Sequence, residues 1–161
     1  MAVDYFLKIK GIPGESKAKG KEDQIDVLSF SWGETQTGTH SGGGGGGAGK
    51  VSMQDFHFVQ KISKASPKLM LACATGEHIP EAILTCQKAG KTQQAFFVLK
   101  FTDLLVSSFQ TGGSSQGDEI PMEQISMNYA KIEFEYKEQN PDGTLKGPVK
   151  AGFDLKKGVK V

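Results

Sequence analysis

Three histidines, two cysteines and a scatter of carboxylates are the side chains in this 161-residue sequence from which chemistry could be built. His40, His57 and His78 are far apart, and none has another His or Cys at ligand spacing, so no metal site is expected. Cys73 and Cys86 stand in apolar-flanked segments without the Cys-x-x-Cys spacing, and are expected as buried, reduced thiols. Glu34, Asp55, Asp103 and Asp118 would serve acid/base chemistry if the fold brought two together. Asp55 and Asp103 lie inside apolar segments, where a carboxylate needs partners, so structural roles are expected for them. Gly44-x-x-x-x-Gly49-Lys50 matches the phosphate-binding loop up to its last place, where Val51 replaces the magnesium-binding Ser or Thr. That loop must also open a helix, whereas residues 51–62 read as strand. In a run of six glycines the match follows from composition. No Gly-x-Ser-x-Gly, no Cys/His dyad and no His-Glu-x-x-His is present. A protein that is not an enzyme, and that uses no cofactor, is therefore expected.

The elements that must position these residues are mostly strands, because most segments read with period two. In 3–9, Val3, Tyr5, Leu7 and Ile9 alternate with Asp4, Phe6 and Lys8. A second strand near 24–33 changes parity, from Ile25 and Val27 to Leu28, Phe30 and Trp32, so a bulge or burial of both faces is expected. The stretch about 34–50 has almost nothing to bury and reads as a long mobile inter-strand loop. Strand pattern resumes at 51–62, again with a parity change, between Met53 and Phe56. One helix is predicted over 66–76, with Ser66 as cap, Pro67 at the first helical position and Gly76 as stop. Strands follow near 80–88, 94–109, 123–137 and 147–156, the second of them apolar on both faces. The predicted fold class is mainly β: a β-barrel of about eight strands in two packed sheets, one flanking α-helix, and a single domain spanning 1–161.

Composition narrows the partners. Lys and Arg total 19 against 18 for Asp and Glu, a net charge of +1, so nothing draws in nucleic acid or an anionic membrane. No run of apolar residues is long enough for a membrane-spanning helix, and residues 1–10 lack the features of a secretory signal, so a soluble cytoplasmic chain is expected. Most of the ten Phe fall at strand-periodic positions, where packing rather than base stacking is expected. Several strands are apolar on both sides, yet a small barrel has one inside. Such a surplus must be covered, and assembly with copies of the same chain is the expectation.

The residues Met1-Ala2-Val3-Asp4 through Gly14-Glu15-Ser16, Ser31-Trp32-Gly33, the loop 42–50, Ser66-Pro67-Lys68-Leu69 with Ala72-Cys73-Ala74-Thr75-Gly76, and Val106-Ser107-Ser108 with Gly112-Gly113 resemble the haemolysin-coregulated protein (Hcp) family of bacterial type VI secretion systems. The resemblance spans essentially the whole chain. It implies a homo-oligomer, a hexameric ring stacking into the inner tube of a contractile injector, with sheath and spike-tip components and small effector proteins as partners. It also implies synthesis in the bacterial cytoplasm and export without a signal peptide through the apparatus itself. Ending at Val161, the chain is expected to carry no toxin extension.

Two sets of site residues follow. If Leu28, Phe30 and Trp32 face the core, alternation turns Ser29 and Ser31 the other way, where they would line the lumen and touch effectors. Gly42, Gly43, Gly44, Gly45, Gly46, Gly47, Ala48, Gly49 and Lys50 are expected to contact a neighbouring subunit or ring, since glycine admits a partner's backbone. The alternatives are a barrel that binds sugar or lipid, which would need a roomy interior, and a hydrolase built on the carboxylates.

Overall fold

The computed structural model describes residues 2–38, 49–89, 92–117 and 119–161. Its centre is a run of antiparallel strands. β1 (Val3–Ile9) pairs with β2 (Ile25–Val27) on one side and with β7 (Ile79–Lys88) on the other. β7 pairs with β8 (Ala95–Gly112), β8 with β9 (Met122–Gln139), β9 with β10 (Leu145–Asp154), and β10 with the two-residue β11 (Val159–Lys160). The first half of β9 also pairs with β6 (Phe56–Lys61), and β6 with β3 (Ser29–Ser31). β4 (Glu34–Gln36) and β5 (Val51–Met53) form a separate hairpin.

Mainly β with one short helix agrees with the sequence, but eleven strands form among the described residues instead of about eight. The two parity changes explain most of the excess. In 24–33 the chain changes partner at Leu28: β2 before it pairs with β1 and β3 after it pairs with β6, while the Leu28 N–H donates to the Val59 carbonyl at 2.8 Å. The ladder is therefore interrupted there and is not a closed circuit of unbroken strands. Leu28, expected in the core, is 46% exposed, because the residue at the break belongs to neither alternation. In 51–62 the break falls at Gln54 and Asp55, between β5 and β6. The start of the stretch expected to be a structureless loop is instead strand, since Glu34, Thr35 and Gln36 pair with Met53, Ser52 and Val51.

Inward-facing residues close one core. Leu7, Ile25, Phe56, Phe58, Leu84, Leu99, Phe101, Leu104, Ile125 and Met127 are all but inaccessible to water. Burial of such a side chain contributes about 1.5–3 kcal/mol. Phe56 and Phe101 meet with ring centroids 4.7 Å apart, and Phe101 lies 4.9 Å from the Tyr129 ring. The interior that a sugar- or lipid-binding barrel would need open is occupied by these rings.

The helix α1 (Ser66–Thr75) covers this core with Leu69 and Ala72 and packs on β8. Pro67 lies in its first turn and Gly76 closes it at φ 66°, as the sequence predicts, with the Gly76 N–H donating to the Ala72 carbonyl. Ser66 is not the cap. Ala65 takes that position without a side-chain bond, and the Ser66 hydroxyl donates to the buried carboxylate of Glu123, which also accepts from Gln60 Nε2 at 2.9 Å. A carboxylate on β9 thus holds the positive end of the helix.

Candidate functional site

Ser29 and Ser31 are both exposed, on the outward face of β3. Cross-strand register extends that face. Ser31 stands opposite His57, His57 opposite Ser126, and Ser126 opposite Ser108. The next row runs Ser29, Val59, Gln124, Gln110. These eight residues line a shallow groove of about 520 Å³, floored by the backbone at Phe30, Phe58 and Ile125, whose side chains turn inward.

Apart from Val59, the groove is built from hydroxyls, carboxamides and one imidazole. Ser126 Oγ and His57 Nδ1 share a hydrogen bond at 2.5 Å. No carboxylate lines it. At one end Asp55 is held by Ser107 Oγ, which donates at 2.6 Å, and by Asn128 Nδ2 at 3.0 Å. At the other end Lys61 follows Val59 on the same face of β6. The partners expected for Asp55 are thus present, and so are those for Asp103, which accepts from Lys156 Nζ at 2.5 Å and meets His78 Nδ1 at 3.0 Å. These bonds hold the Asp103 carboxyl below the usual carboxylate range, the Lys156 bond contributing most.

The hairpin beside the groove is pinned by Tyr129. Its hydroxyl donates to the Gln54 carbonyl at 2.9 Å and accepts from Trp32 Nε1, while the Gln54 N–H donates to the Gly33 carbonyl at 2.9 Å. Burial pushes the Tyr129 pKa up to about 12, against the Trp32 bond, which acts downward. Trp32 and Phe30 flank the core, as expected.

Ser126 and His57 resemble the start of a nucleophilic dyad, but Ser126 is 7% exposed and no acid hydrogen-bonds the imidazole among the described residues. Nor do three His, Cys, Asp or Glu gather for a metal among those residues. Cys86 is buried, and that burial pushes its thiol pKa up, away from nucleophilic reactivity; Cys73 is half-buried and, like Cys86, unbridged. The chemistry on offer is hydrogen bonding across a flat neutral surface. Sequence reasoning named Ser29 and Ser31 and missed His57, Ser108, Gln110, Gln124 and Ser126. The period-two reading of 56–61 and 122–128 puts His57, Gln124 and Ser126 on outward positions, but register alone brings them beside Ser31. Of the expected contact loop, Gly42, Gly43, Gly44, Gly45, Gly46, Gly47 and Ala48 lie outside the described residues, as do His40 and Asp118. Lys50 is exposed, and Gly49 passes so close to Thr37 that a Cβ there would fall on the Thr37 carbonyl. Val51 opens a strand and not a helix, so the glycine run lacks the phosphate-loop context.

Residues 6–136 match the family described as type VI secretion system effector, Hcp. The chain is 44% identical to Protein hcp1 of Pseudomonas aeruginosa over 162 residues, 99% of each. Among solved structures it is similar to Hcp1 from Salmonella typhimurium, with a TM-score of 0.80 and 34% identity over 100% of both chains. It is also similar to a structure described as a type six secretion system protein, with a TM-score of 0.94 and 30% identity over 99% of this chain and 100% of that one. A type VI secretion system effector from Yersinia pestis matches with a TM-score of 0.77 and 30% identity, over 94% of this chain and 99% of that one.

Proposed function

The chain belongs to the Hcp family of type VI secretion system proteins, and from that premise we propose that it acts by assembly: six copies form a ring, rings stack into the inner tube, and the groove of Ser29 and Ser31 faces the lumen. The observation that carries this reading is the contrast between two outward faces of one sheet system. On β7, β8, β9 and β10, Glu81, Lys100 and Glu133 are ion-paired, as are Glu135 and Lys150, a surface suited to water. The groove face has hydroxyls and amides instead. Such a lining hydrogen-bonds to a passing polypeptide without the strong capture that single-sign charge would produce. The finer picture of the wall is part of the same reading: β2 and β3, flanking Leu28, close the barrel between β1 and β6. The loop 42–50 reaches a neighbouring subunit or ring, and effectors are held along the lumen. No catalytic role is assigned. No helix among the described residues is long and apolar enough to cross a membrane, and export proceeds through the apparatus.

Light scattering on the purified protein at micromolar concentration tests this directly. The expected mass is six times that of the 17.3 kDa chain, and negative-stain images should show annuli. A monomeric mass would refute the ring and, with it, the lumenal position of Ser31.

A further inference from the structure

One side chain of the groove belongs to a residue type that changes charge near neutral pH. His57 is exposed at the middle of the face, with Ser31 opposite on β3 and Ser126 opposite on β9. Phe56 and Phe58, its neighbours in the chain, are buried, so the backbone beneath the imidazole is anchored in the core. Histidine gains or loses its charge between about pH 5 and 8, a range in which serine and glutamine do not titrate.

The bond from His57 Nδ1 to Ser126 Oγ, at 2.5 Å, fits both charge states. A hydroxyl donates as well as accepts. With a neutral ring, Ser126 donates to Nδ1 and the ring proton sits on Nε2. With a charged ring, Nδ1–H donates to Ser126 and Nε2–H remains. The charge therefore changes without breaking the contact that holds the ring.

Little around the ring answers that charge. On β6, Asp55 precedes it on the same face by two residues, about 6.6 Å, and Lys61 follows by four, about 13 Å. The Asp55 oxygens already accept from Ser107 and Asn128. Glu34 lies beyond the end of β3, and both it and Asp55 act on the Tyr129 hydroxyl, at the hairpin end of the groove. β8 and β9 bring only Ser108, Gln110, Gln124 and Ser126 to the polar lining, while Glu123 is buried on the inward side.

On the lumenal reading of the groove, we infer that His57 selects the cargo: its protonation turns a neutral surface into a site for acidic polypeptide segments, so that loading strengthens as the pH falls. The chain's net charge of +1 counts the histidines as neutral. In a ring, every copy adds one further positive charge to the same lumen, and a narrow cavity with low-dielectric walls focuses such a field. Basic segments are repelled by the same charge.

Fluorescence anisotropy with a labelled oligo-aspartate peptide on the assembled protein tests this, because aspartate stays ionised across the range used. From about pH 8 to about pH 5.5 the affinity should rise at least about tenfold at low salt, and the gain should shrink at high salt. An oligo-lysine peptide should show the opposite trend. His57→Gln, which keeps a hydrogen-bonding group beside Ser126, should lose the pH response, and His57→Lys should hold the acidic peptide equally at both pH values. His78→Gln should respond as the parent does. Light scattering on each variant at both pH values reports whether the assembly is unchanged. A response that survives in His57→Gln, its loss in His78→Gln, or a parent of ring mass with no response would each overturn the inference. A monomeric parent would instead refute the ring, and a response that depends on His57 in that monomer would still support selection by His57.

Discussion

Single residues here do mostly structural work at places where the sequence looked chemical. Asp55 and Asp103 each take two side-chain hydrogen bonds, and Glu123 holds the helix. Tyr129 has the widest reach, because one hydroxyl joins the Trp32 ring to the Gln54 carbonyl and so ties the hairpin to the core. Replacing Tyr129 with Phe leaves both partners short of a bond, and should lower unfolding free energy by about 1–3 kcal/mol, measured by urea titration at neutral pH. The same hydroxyl sets an alkaline limit. Burial keeps it protonated to about 12, whereas an unfolded tyrosine ionises near 10. Its stabilisation is therefore complete below about pH 10 and is lost as the pH rises through about 12. Tyr129→Phe should flatten that alkaline decline without abolishing it, because Tyr5 is also shifted upward, chiefly by burial.

At the scale of elements, breaks in alternation decide the architecture more than the strands themselves. The parity change at Leu28 lets one short segment pair with β1 and then with β6. The positive φ of 52° at Asp103 sits where β9 changes parity between Tyr129 and Ile132, and the extra residue near Ser107 shifts the β8–β9 register. The helix depends on its ends. Nothing stands within 4 Å of where a Cβ at Gly76 would be, so Gly76→Ala meets no clash and is penalised only by its left-handed backbone. A loss of roughly 1–2 kcal/mol is expected in thermal or urea melts, with the ring mass unaltered.

For the whole molecule, what matters is which surfaces a monomer leaves unsatisfied. Aromatic rings fill the core, and the outward face of β3, β6, β9 and β8 carries a polar groove. Ser31→Arg changes only that face. It should leave melting temperature and ring mass as in the parent, and reduce effector retention in pull-downs from cells that carry the secretion system. Loss of folding in Ser31→Arg would contradict the outward placement, and undiminished retention would contradict the lumenal one.

Much of this was legible in the chain itself. Period-two alternation located β1, β6, β7, β8, β9 and β10, while Pro67 and Gly76 bounded the helix. The motifs distributed along the chain pointed to the family that residues 6–136 match. These are local or additive properties, set by backbone geometry and side-chain type within a few residues. Tertiary structure decided what depends on residues distant in sequence. Register placed His57, Ser126 and Ser108 beside Ser31, across separations that alternation cannot count. Pairing with different partners turned one predicted strand into β2 and β3 and left Leu28 in solvent. Packing drew Ser66 away from its expected cap toward Glu123, because a buried carboxylate needs donors.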